Sequence, residues 1–128
     1  MNSKVETICA LATGNGIGAI SIIRISGPDS RNAMSQCFSK KLDTIASHTI
    51  HFGTINSTDE IAIDEVLVSY FEHGRSFTGE ESIEISCHGS PYVQQQILQV
   101  LQSQGCRMAT PGEFTKRAFM NGKLDLSQ

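Results

Sequence analysis

Hydrophobic and polar residues alternate strictly from Ser82 to His88: Ile83, Ile85 and Cys87 fall on one side, Glu84, Ser86 and His88 on the other. A period of two is the mark of a strand with one face against a core. Ala19 to Ser26 (AISIIRIS) is richer in isoleucine and reads as a more deeply buried strand. Glu6 to Thr13, His48 to Asn56 (with Ile50 and Phe52 on one face), Ile61 to Phe71 and Cys106 to Ala109 supply four more. Helical spacing appears three times. Ala33, Met34, Cys37 and Phe38 predict a helix that Gly27-Pro28-Asp29-Ser30 starts, with Pro28 in its first turn, and that reaches about Lys40. Val93, Ile97, Val100 and Leu101 form the stripe of a second, opened by Ser90-Pro91 and stopped at Gly105. Thr110-Pro111-Gly112-Glu113 reads as a capping box with proline at the first helical position. That third helix runs to about Met120, with Phe114 and Ala118 on its core face, and Asn121-Gly122 closes it.

The order β, β, α, β, β, β, α, β, α predicts an α+β fold: a single mixed β-sheet with helices packed on one face. The 128 residues suit one domain, 1–128, with no repeat and no linker. The final Asp125-Leu126-Ser127-Gln128 reads as a helix cap with no helix after it, so a longer protein is expected.

Composition narrows the function. A formal net charge of −3 argues against a surface that grips nucleic acid unaided. Cys9, Cys37, Cys87 and Cys106 are widely spaced and form no C-x-x-C; they read as reduced, mostly buried thiols. No apolar run approaches the ~18–20 residues that span a bilayer, and no basic-then-apolar leader opens the chain. A cytoplasmic protein without membrane contact is expected.

Gly14-Asn15-Gly16-Ile17-Gly18-Ala19 matches the dinucleotide fingerprint, but that motif needs a helix N-terminus after it, and here a strand follows. A flexible connection or a mobile lid fits better. Arg24 interrupts the isoleucine-rich strand; it either snorkels from an edge or anchors an anion. Glu84 sits mid-strand, so its face meets solvent or lines a polar pocket, where a carboxylate can accept two parallel N–H bonds. Glu113 is explained by the capping box, and Lys116, Arg117 and Lys123 form a local basic patch that complements the helix dipole. The histidines show no zinc spacing, no nucleophile–base pair stands out, and G-x-x-x-x-G-K-[ST] is absent. No catalytic or metal-binding residue is assigned.

PGEFTKRAFMNGKLDL (Pro111 to Leu126), TICALATGNGIGAISIIRISG and SFTGEESIEISCHGSP resemble, in order and spacing, the N-terminal region of the MnmE (TrmE) family of tRNA-modification GTPases. The chain departs from the family's pattern at Gly14, where proline is usual, and at Ala19, where glycine is. The resemblance implies a fold similar to tetrahydrofolate-binding aminomethyltransferase domains, a folate site and homodimerisation through this domain. It places the folate contacts on Arg24, Glu84 and Lys123, with 5-formyl- or 5,10-methylene-tetrahydrofolate as ligand. The whole family protein acts with the FAD protein MnmG on C5 of the tRNA wobble uridine. Its GTP, Mg and K sites belong to a GTPase domain that these residues lack. The alternatives are a free-standing one-carbon transferase and a purely structural dimerisation module.

Overall fold

The computed structural model describes residues 5–13 and 19–123; the glycine loop and the helix start at Asp125 lie outside them. Six strands, β1 (Ile8–Leu11), β2 (Ile20–Ser26), β3 (Thr49–Asn56), β4 (Ala62–Phe71), β5 (Ser82–His88) and β6 (Arg107–Met108), form one sheet ordered β3-β4-β5-β2-β1-β6. Among the described strands only the β1–β6 pair is parallel, so the sheet is mixed and the fold α+β, as the pattern predicts.

Ile23 and Ile25 of β2 lie opposite Ile85 and Ile83 of β5, and all four are fully buried. Helices α1 (Ser30–Ser35) and α2 (Pro91–Ser103) cover this face with Ala33, Met34, Ile97 and Leu101. Each such aliphatic side chain withdrawn from water contributes roughly 1.5–3 kcal/mol. The four cysteines are buried and unbridged, and burial pushes the Cys37 thiol up to about 12. Among the described residues no helix is long and apolar enough to cross a membrane.

Three local expectations change. First, α1 stops at Ser35 and does not reach Lys40. The Cys37 carbonyl accepts from Asn56 N–H (2.8 Å), and Ser39 N–H donates to the Thr54 carbonyl (2.9 Å). Pairing with β3 thus takes backbone groups that a longer helix would need, and Phe38 bridges to Ile55. Second, the third helix, α3 (Glu113–Met120), starts two residues later than a capping box with Pro111 at its first position requires. Gly112, at φ 76°, is the cap residue. Glu113 still reaches back to Thr110 N–H (2.9 Å), which is one half of the box.

Third, the helices do not share one face. Arg24 points away from the buried Ile23 and Ile25, and its guanidinium carbon lies 5.4 Å from the centre of the Phe114 ring. Helix α3 therefore meets the sheet on the side opposite α1 and α2. The rest of that open side carries Ile20, Ile50, Phe52 and Leu67, all exposed.

Candidate functional site

Register builds the site. Strands β2 and β5 run antiparallel with Arg24 directly opposite Glu84, on the side away from the core. The Arg24 Nε and Nη2 atoms both lie 3.1 Å from Glu84 Oε2. Their side chains are 21% and 27% exposed, so the pair is partly shielded yet open to a ligand. Among the described residues Glu84 Oε1 has no hydrogen-bond partner in the protein. Phe77 and Phe114 flank the guanidinium, with ring centres 4.9 and 5.4 Å away, a cation–π arrangement that holds Arg24 in place.

A pocket of about 190 Å³ lies over this pair, bounded by Arg24, Glu84, Phe71, Arg75, Ser76 and Phe77. Three of these belong to the β4–β5 loop, which a polar network holds. Ser26 Oγ donates to Glu80 Oε1 (2.7 Å) and lies 2.6 Å from Thr78 Oγ1; Arg117 Nη1 reaches both Glu80 oxygens, at 3.0 and 3.1 Å. Asn121 Nδ2 donates to the Thr78 carbonyl (2.9 Å). Helix α3 is thereby clamped to the loop, and the loop supplies Arg75, Ser76 and Phe77 to the pocket wall.

Lys123 owes its position to the end of α3. Gly122 N–H bonds the Phe119 carbonyl (3.0 Å) and Lys123 N–H the Ala118 carbonyl (2.8 Å), a Schellman motif that requires the positive φ of 74° at Gly122. From there Lys123 Nζ donates to the Gly74 carbonyl at 2.6 Å. Sequence reading thus finds three residues of which two, Arg24 and Glu84, are in contact. Lys123 joins them only through the loop, one residue from Arg75.

The expected basic patch is not formed. Arg117 is only 14% exposed and is neutralised by Glu80 and Glu113. Glu113 has a larger role than capping: Arg107 grips it at 3.1 and 2.7 Å. Those bonds hold its carboxyl at about 2, below the ordinary 4.5, against the opposing push of burial. Phe77, Arg75 and the Glu80–Arg117 pair escaped the sequence reading; the SFTGEES run that contains Phe77 and Glu80 was the available signal.

The geometry defines a class first: a single-sheet α+β domain whose open face holds a charged, aromatic-walled pocket. Residues 7–123 match the family described as GTP-binding protein TrmE N-terminus, and the chain belongs to that family. It is similar to the tRNA modification GTPase MnmE of Parabacteroides distasonis, 50% identical over 129 residues (97% of this chain, 28% of that protein). The MnmE of Christiangramia forsetii is 52% identical over 127 residues (96% and 27%), and that of Bdellovibrio bacteriovorus 55% over 124 (96% and 26%). The chain thus spans just over a quarter of the length of these curated relatives.

Proposed function

We propose that this domain binds a reduced folate, 5-formyl- or 5,10-methylene-tetrahydrofolate, as the one-carbon donor of a tRNA-modifying GTPase. The observation that carries the reading is the half-used Glu84 carboxylate beside a guanidinium and an aromatic wall. A carboxylate offers about four acceptor sites. Oε1 can therefore accept one N–H of a pterin edge while Oε2 accepts the adjacent one and keeps Arg24. Phe77 offers a face for the ring, and a pocket of about 190 Å³ suits one bicyclic heterocycle, with the remainder of the ligand extending outward. Arg24 and Lys123 supply positive charge for ligand oxygens. When bound, the folate supplies the one-carbon unit; these residues hold and orient it.

The domain also forms a homodimer in this reading, supported by the exposed Ile20, Ile50, Phe52 and Leu67 on its open face. The whole protein works with tRNA and the FAD protein MnmG, and hydrolyses GTP in a part beyond these residues. The name that the long, closely similar relatives carry supports tRNA modification and GTP hydrolysis, whereas the partnership with MnmG rests on the family resemblance alone.

Calorimetric titration with 5-formyltetrahydrofolate tests the site. Glu84→Ala should weaken binding by roughly 1.5–3 kcal/mol, more than tenfold, because a charged hydrogen-bond acceptor is lost and Arg24 is left unpaired. Equal affinity in the two proteins would remove Glu84 from the site. Sedimentation of the same samples tests the homodimer, and a wild-type chain that stays monomeric at high concentration would refute it.

A further inference from the structure

Of the two cations that line the pocket, Arg24 is paired with Glu84 at 3.1 Å, whereas Arg75 has the more weakly held partner. Among the described residues its ion-pair partner is Glu72, three residues back at 3.5 Å, with side chains 62% and 51% exposed. Such a contact is long, solvated and weak. The pocket is also graded. Its most shielded part is the Arg24–Glu84 pair, Phe77 beside it is 44% exposed, and Arg75 is the most exposed of the four.

This gradient gives the pocket a direction. A planar polar ring is matched by the shielded carboxylate and aromatic face, and an anionic tail by the exposed guanidinium. We propose that Arg75 reads the anionic tail of the ligand, so that the site selects heterocycles carrying a carboxylate chain over the same ring without one. The inference rests on the folate reading above, in which the tail is the glutamate. The ring docks against Glu84 and Phe77, and the benzoyl-linked glutamate leaves the pocket past Arg75. Arginine suits this because its planar fork can bind a carboxylate through two N–H bonds.

The test is a titration of the 128-residue chain with 5-formyltetrahydrofolate and with 5-formyltetrahydropteroate, which differs from it only in lacking the glutamate. Wild type, Arg75→Ala and Arg75→Lys are compared. Arg75→Ala should lose about threefold to tenfold in affinity for the glutamyl ligand and nothing for the other. Arg75→Lys should recover part of the loss, and the loss should shrink at high salt, as expected for an exposed pair. Equal losses on both ligands, or none on either, would overturn the tail-reading role while leaving the folate site standing. A wild-type chain that binds neither ligand would overturn both.

Discussion

Glu80→Ala should destabilise the domain by about 3–5 kcal/mol, the loss typical when one member of a buried charged pair is removed. Glu80 and Arg117 are only 13% and 14% exposed, and Arg117 Nη1 contacts both carboxylate oxygens. Without Glu80, Arg117 keeps only the longer contact to Glu113 at 3.5 Å, and the Ser26 hydroxyl loses an acceptor. The damage is not local. The β4–β5 loop that carries Arg75 and Phe77 is held to α3 through this pair, so the pocket should be disturbed along with stability and, on the proposed reading, affinity for folate should fall. Arg117→Leu, which removes the other charge, should rescue Glu80→Ala in part, because no buried guanidinium is then stranded. Urea denaturation of the two single variants and the double variant measures this. A double variant whose loss equals the sum of the single losses would mean that the two residues act independently.

Gly27→Ala should be comparably damaging, for a steric reason. Gly27 has a φ of 137°, and a Cβ added there would stand 2.6 Å from the Thr7 Cα and 2.7 Å from its Oγ1. The obstacle is backbone. Thr7 immediately precedes β1, and its hydroxyl accepts from Asp29 N–H at 2.8 Å, so β1 and the start of α1 would have to part. Backbone strain of order 1–3 kcal/mol adds to a similar overpacking cost, about 2–6 kcal/mol in all. Gly74→Ala is the control: its φ is 86°, yet no atom outside its chain neighbours lies within 4 Å of the added carbon. That variant should show the strain without the clash. If the two variants unfold at the same denaturant concentration, the close approach to Thr7 contributes nothing.

Much of this architecture follows from local pattern. The strict alternation of Ser82 to His88 identifies both the strand and the face on which Glu84 lies, because side chains on a strand repeat every two residues. The end of α2 is equally local. Its C-terminal bonds, Gly105 to Gln102 and Cys106 to Leu101, use only neighbouring residues and a glycine. Where tertiary pairing competes, local pattern misleads. The spacing of Cys37 and Phe38 suits a helix, but hydrogen bonds to β3, roughly fifteen residues or more along the chain, win those residues. Arg117 likewise reads as a surface cation until Glu80, 37 residues earlier, is brought against it.

By itself, the sequence determined the α+β class and the family, and it marked out Arg24 as a charge inside an isoleucine-rich strand and Glu84 as a carboxylate on the polar face of an alternating one. Only the tertiary structure decided that these two are partners. Their contact depends on the antiparallel register of β2 and β5, which is set by the burial of Ile23, Ile25, Ile83 and Ile85 on the other face of the sheet. It also decided that Lys123 meets the loop and not the pair, and that Arg75 and Phe77 complete the pocket. Those placements depend on contacts between residues distant in sequence, and chain pattern reports only neighbours.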